Sequence, residues 1–149
     1  MGPEGAKANP SYREVCSGRT GHVEVFEMEF EETGDAEGGE MYEKLVRHFF
    51  SFHDPTTPDC QGNDTGSQYA SVIFCYSPQQ MTVAERVKAE LQALLDAKKI
   101  NSYRNRAVVT HILPATTFYP AEEEHQQYLE KNPSGYCNHA YRFNAWPKL

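Results

Sequence analysis

Tyr69-Ala70-Ser71-Val72-Ile73-Phe74-Cys75-Tyr76 runs straight into Ser77-Pro78-Gln79-Gln80. The first stretch is short, apolar and rich in β-branched and aromatic side chains, which reads as a buried strand. The second is a helix start. Ser77 is placed to cap, Pro78 falls at the first helical position, and Gln80 sits where a capping box puts its amide. The helix runs to about Lys98, with Met81, Ala84, Val87, Leu91, Leu94 and Leu95 on one stripe. A buried strand delivering directly into an amphipathic helix fixes the local architecture as a helix laid on a sheet.

Reading outward, His22-Val23-Glu24-Val25-Phe26-Glu27-Met28-Glu29-Phe30-Glu31 alternates as a strand would. Glu24 is in phase with Phe26, Met28 and Phe30, whereas Glu27, Glu29 and Glu31 point the other way. Residues 33–40 read as a turn. Residues 41–52 read as a helix, with Met41, Tyr42, Leu45, Val46, Phe49 and Phe50 at helical spacing. Residues 53–68 hold no large aliphatic or aromatic side chain, and a loop this long in a compact domain is usually functional or disordered. Ala107–Leu113 reads as a third strand. Pro120-Ala121-Glu122-Glu123-Glu124 opens a last short helix, with acids in its first turn where the dipole favours them. The order strand, helix, strand, helix, strand, helix means α/β or α+β, in one domain over 1–149 with an irregular tail over 138–149.

The chain has 149 residues, 14 basic and 21 acidic, and a net charge of −7. That balance argues against nucleic acid, which requires a basic surface, and against an anionic membrane face. No apolar run is long enough to span a bilayer, and residues 1–15 hold no secretory h-region. The expected compartment is the cytoplasm, with the thiols of Cys16, Cys60, Cys75 and Cys137 free. None of the four lies in a Cys-x-x-Cys pair or a zinc-spaced Cys/His cluster, so no metal is expected. Cys75, inside the apolar strand, reads as a small buried hydrophobe.

Four places could carry chemistry. Glu24, phased with an apolar face, would be partly desolvated and usable as a general acid, or else is a strand-end glutamate at a sheet edge. Asp64, in Gly62-Asn63-Asp64-Thr65-Gly66, could bind a ligand or cap a solvated loop. Tyr119, His125 and Tyr128 could meet at one site, His125 and Tyr128 being three apart on one helix face, or could be a packing face. Cys137, in a tail with no packing pattern, could travel to another sulfur or stay an inert surface thiol.

Together these features resemble a family. Asn9-Pro10-Ser11-Tyr12-Arg13-Glu14-Val15-Cys16-Ser17-Gly18-Arg19-Thr20-Gly21-His22-Val23-Glu24-Val25 is similar to a signature block of the A-type methionine sulfoxide reductases, the peptide-methionine (S)-S-oxide reductases. His53-Asp54-Pro55-Thr56, Gln61-Gly62-Asn63-Asp64-Thr65-Gly66-Ser67-Gln68-Tyr69, Phe118 to Leu129 and Asn132 to Cys137 match further blocks in the family's order. The resemblance implies an α+β, ferredoxin-like two-layer sandwich. It implies that Glu24 bonds and protonates the sulfoxide oxygen, that Tyr12 and Tyr69 contact that oxygen, and that Asp64 shapes the site. Tyr128 would wall the pocket for the substrate methyl group, and Cys137 would be the resolving thiol.

The resemblance also implies thiol-dependent reduction of methionine (S)-sulfoxide, free or in proteins, as a repair of oxidative damage. The implied enzyme binds no cofactor, uses thioredoxin or dithiothreitol as reductant, and is a monomer. The family's nucleophile sits in a Gly-Cys-Phe-Trp block, and no such block occurs in these residues; the only tryptophan is Trp146. Cys16 matches a different, non-nucleophilic cysteine. The expectation is therefore an N-terminally truncated member lacking the first strand and helix, inactive or nearly so by itself and prone to aggregate. A non-catalytic module binding oxidised methionine or a partner is the alternative; a Cys/His hydrolase has no oxyanion signature to support it.

Overall fold

The computed structural model describes residues 1–31 and 40–149. The turn expected at 33–40 falls almost wholly outside the described residues. A short helix α1 (Tyr12–Cys16) comes first, followed by α2 (Glu40–Phe52) and a two-rung hairpin of β1 (Cys60–Gln61) and β2 (Asp64–Thr65). Then come a 3-10 turn (Ser67–Tyr69), β3 (Val72–Cys75), α3 (Pro78–Asp96) and β4 (His111–Pro114). A second 3-10 turn (Glu123–His125) and α4 (Tyr128–Lys131) close the series.

The strand-into-helix junction forms as its sequence dictates. Ser77 Oγ accepts the Gln80 backbone N–H at 3.2 Å. Gln80 in turn accepts the Tyr76 N–H at 2.7 Å, one residue earlier than the usual capping-box partner. β3 and β4 are parallel, pairing Val72 with His111 through Cys75 with Pro114. A parallel pair needs a crossover, and α3 supplies it. Helices α2 and α3 pack on each other, and α3 packs on the sheet, so the chain is α+β with helices covering one sheet face.

The core is the interface of these layers. Phe50 from α2 and Val87, Leu91, Leu94 and Leu95 from α3 are fully buried, with Met81 at the rim of the α3 stripe. Burying a side chain of this size stabilises by roughly 1.5–3 kcal/mol. Cys75 is buried as expected and bonds the Tyr42 hydroxyl at 3.4 Å.

Three expectations change. Residues 22–31 run without regular sheet pairing. They are held at their start, where Val23 N–H donates to the Met1 carbonyl at 2.8 Å and Glu24 N–H to the Gln68 carbonyl at 2.9 Å, and again where the Tyr76 hydroxyl meets Glu27. Alternation alone does not make a strand; a partner edge must lie alongside. Phe26, 83% exposed, consequently has no face to bury against. The second correction is at 120–131. His125 and Tyr128 do not share a helix, because Gln127 adopts the left-handed conformation (φ 52°, ψ 37°) between the 3-10 turn and α4.

The third concerns 53–68, which is an ordered polar lattice. Asp54 Oδ1 accepts from the Thr56 N–H and hydroxyl at 3.0 and 2.6 Å, and Oδ2 accepts the Arg104 N–H at 2.9 Å. Gln61 closes on the Asp54 backbone from both ends of its amide, at 3.0 and 3.2 Å. Buried polar atoms that satisfy one another in this way rigidify a loop with no apolar anchor.

Candidate active site

Helix α1 begins with a capping box: Glu14 Oε2 accepts from the Ser11 N–H at 2.9 Å. Its single full turn puts Tyr12 and Cys16, four apart, on one side. The Tyr12 hydroxyl bonds Cys16 there, and this bond is the main reason the phenol is held above its ordinary range, with burial next. The chain then turns back through Gly18 and Gly21, both at positive φ, and delivers Glu24 to the same place. Cys16 Sγ lies 3.8 Å from Glu24 Oε1.

Gln68 joins this unit to the hairpin. Its Nε2 donates to the Cys16 carbonyl at 3.1 Å and its own carbonyl receives the Glu24 N–H. Gly66 (φ 138°) must lack a side chain here, since a Cβ would come within 2.3 Å of Gln68 Oε1. The residue after Gln68 is Tyr69, whose hydroxyl feels the charges of Glu24, Cys16 and Asp64.

The electrostatics favour retained protons. Burial raises the Glu24 carboxyl above its usual range, and the negative charge of Asp64 adds to the rise; the Cys16 bond and His125 pull the other way. The Glu24 side chain keeps a solvent-facing side, so this desolvation is partial. Tyr69 is likewise raised, first by burial and then by Glu24. One acid with a raised pKa and two raised phenols thus influence one another in one region.

Tyr12, Glu24, Asp64 and Tyr69 are thus brought together, and Glu24, Asp64 and Tyr69 line one groove of about 720 Å³ that continues along Phe26, Met28 and β3. His125, expected beside Tyr128, instead stacks on Tyr12 with ring centroids 3.9 Å apart. Glu122 accepts the Tyr12 N–H at 3.1 Å. Tyr119 meets His22 edge-on at 5.9 Å. Tyr128 packs on Gly135, at the turn that leads to Cys137. Cys137 is exposed, with its sulfur 4.0 Å from His139 Nδ1. The roles of Cys16 and Gln68 were missed at the sequence level, and His125, a candidate there, was given the wrong partner; only the i, i+4 spacing of Tyr12 and Cys16 could have signalled one of them. Among the described residues no group of three or more His, Cys, Asp or Glu is arranged to hold a metal.

The family model described as peptide methionine sulfoxide reductase matches residues 3–146. This chain belongs to that family. A probable peptide methionine sulfoxide reductase of Schizosaccharomyces pombe is 44% identical over 144 residues, covering 95% of this chain and 78% of the relative. The peptide methionine sulfoxide reductase MsrA of Vibrio cholerae is 48% identical over 133 residues, covering 89% of this chain and 58% of its own length. Among solved structures, methionine sulfoxide reductase A of Corynebacterium diphtheriae superposes with a TM-score of 0.74 at 40% identity, covering 89% of this chain and 62% of that one. Reduced Mxr1 of Saccharomyces cerevisiae gives 0.71 at 31%, covering 96% and 74%. The peptide methionine sulfoxide reductase fold thus accounts for the α+β architecture, and the chain spans 56–78% of the curated relatives named or matched beside them.

Proposed function

We propose that this polypeptide serves in the thiol-dependent reduction of methionine (S)-sulfoxide, free or in proteins, to methionine. The convergence of Glu24, whose carboxyl is raised above its usual range, with the phenols of Tyr12 and Tyr69 carries the reading. The sulfoxide oxygen ends up in water, so reduction needs proton donors aimed at that oxygen. A thiol attacks the sulfoxide sulfur while Glu24 protonates the oxygen; the sulfur–oxygen bond breaks as the hydroxyl passes to the cysteine sulfur, the transient sulfur–sulfur bond cleaves, and the products are the thioether and a sulfenic acid on the attacking cysteine. Cys137 then attacks that sulfenic sulfur, expelling water and closing a disulfide, which a dithiol such as thioredoxin or dithiothreitol reopens. Asp64 adds to the rise of the acid's pKa, and Tyr128 stands by for the substrate methyl group.

The attacking thiol is supplied from outside these 149 residues, since none of the four cysteines lies in the family's Gly-Cys-Phe-Trp block. By themselves these residues bind and activate the oxygen with little or no turnover. NMR titration of the chain with an (S)-sulfoxide methionine peptide tests this. Shifts at Tyr12, Glu24 and Tyr69, weaker with the (R) epimer, are expected. No response at millimolar peptide, or full dithiothreitol-driven turnover by the 149 residues, would overturn it.

A further inference from the structure

The irregular tail is tied to the rest of the chain from its first residue onward. Asn138 Nδ2 donates to the Gln61 carbonyl at 2.5 Å and to Asp64 Oδ2 at 2.6 Å, so both amide protons are spent on the hairpin. The acceptor side is rigid, because Gln61 is itself buried and locked to Asp54. Gly62 (φ 60°) leaves the space: a Cβ there would stand 3.2 Å from Asn138 Cβ. Beyond Asn138, His139 stacks on Phe52 at 4.9 Å, Arg142 N–H donates to the Ser51 carbonyl at 2.7 Å, and Trp146 Nε1–H reaches the Arg47 carbonyl at 3.3 Å. Cys137 is the exposed residue immediately before this docked run.

We propose that Asn138 is a positioning residue: it pivots the Cys137 thiol on the hairpin that carries Asp64, so that the thiol returns to the Glu24 groove from a fixed point. The inference rests on the reading of Cys137 as the resolving thiol. Asn138, Asp64 and Glu24 line the same groove, so the anchor lies where the thiol must arrive. Fixing the neighbouring residue confines the sulfur to a short arc and raises its effective concentration at the sulfenic acid. The donor to Asp64 is charge-assisted and is the stronger half of the anchor. The titratable groups facing this contact are Glu24 and Tyr69 from the site and His139 from the tail.

The test compares the parent chain with Asn138→Ala and Asn138→Asp by proton–nitrogen heteronuclear NOE of the backbone at residues 137–139 at pH 7. The parent should be as rigid there as the helices. Asn138→Ala loses both donated bonds and should lose that rigidity. Asn138→Asp should be at least as mobile, since its carboxylate faces that of Asp64. Parent-like rigidity in either variant would overturn the pivot. The sulfoxide-peptide titration of Glu24, run on the same samples, separates the outcomes: binding without this loosening sinks the pivot alone, and loosening without binding sinks the reductase reading and with it the role given to Cys137.

Discussion

The Cys16 thiol sits 3.8 Å from Glu24 Oε1, and one helical turn earlier Tyr12 is raised chiefly by its contact with the same thiol. The thiol therefore fills the ground between acid and phenol. It supports the acid from one side while Asp64 opposes ionisation from the other.

Glu24→Gln should separate charge from shape. The folded pKa of Glu24 is raised, so the native chain keeps this proton to higher pH than the unfolded chain does. Stability from this group is therefore highest below about pH 4.5 and falls as pH rises through the folded value. The glutamine variant cannot ionise. Its Tm should equal or slightly exceed the parent's at pH 7, while at pH 4 the two should coincide. It should still bind a sulfoxide peptide through its amide, within a few-fold. A variant markedly less stable at pH 7 would show that the Glu24 charge is welcomed rather than tolerated.

His53 predicts the opposite limb of the pH profile. It is buried, with Nε2 bonded to Ser71 Oγ at 2.8 Å, which bonds Thr110 Oγ1 at 2.8 Å, and with Nδ1 on the Phe49 carbonyl. Burial pushes its pKa down to about 4, Phe49 and Asp54 opposing, His139 and Arg142 assisting. The unfolded chain takes up this proton near pH 6.5 and the folded chain does not. Stability should be fully present above about 6.5 and decline towards pH 4, at about 1.4 kcal/mol per pH unit for this one proton. His22 and His139 are lowered too and add to the slope. The gap between urea midpoints at pH 7 and 5 should shrink in His53→Gln, leaving the share of His22 and His139; an unchanged pH slope in that variant would refute the assignment.

The legible parts of this molecule are those with local causes. The β3–α3 junction is visible because an apolar run and a capping signal are both written within a dozen residues. Glu24 is marked by its phase in the alternation and Tyr12 only by the family resemblance, and what joins both to Tyr69 is Gln68, a buried side chain reaching the Cys16 carbonyl across the chain. Nothing in the local pattern marks such a contact. The 53–68 stretch was opaque for a related reason: polar residues read as solvated loop, and only the mutual satisfaction of Asp54, Thr56 and Gln61 lets them be buried. The Phe26–Phe30 alternation has the pattern of a strand, and tertiary pairing, not pattern, decides whether it becomes one.

Arg47 ties α2, α3 and the tail together. Its guanidinium pairs with both Glu90 oxygens at 3.0 and 2.7 Å, reaches Glu43, and lies 4.5 Å from the centre of the Trp146 ring. A forked, half-buried pair with an aromatic cover exceeds an ordinary surface pair, so Arg47→Ala should cost about 1–2 kcal/mol in urea unfolding. Arg47→Lys should recover less than half of that, because an ammonium offers no fork. A lysine variant as stable as the parent would reduce the contact to simple charge pairing.

The open groove predicts self-association. Among the described residues β3 pairs only with β4, while Phe26 (83% exposed), Met28 (47%) and Tyr76 (64%) stand at the mouth of the groove beside it. An unpaired edge next to exposed apolar side chains is a template for another chain. The weight-average mass of the 149-residue chain in sedimentation should rise with concentration. Phe26→Glu should suppress that rise with little effect on Tm, since the side chain it removes makes almost no buried contact. A parent chain that remains a sharp monomer across a hundredfold range of concentration, or a Phe26→Glu variant that associates as strongly as the parent, would show that this edge is protected in solution.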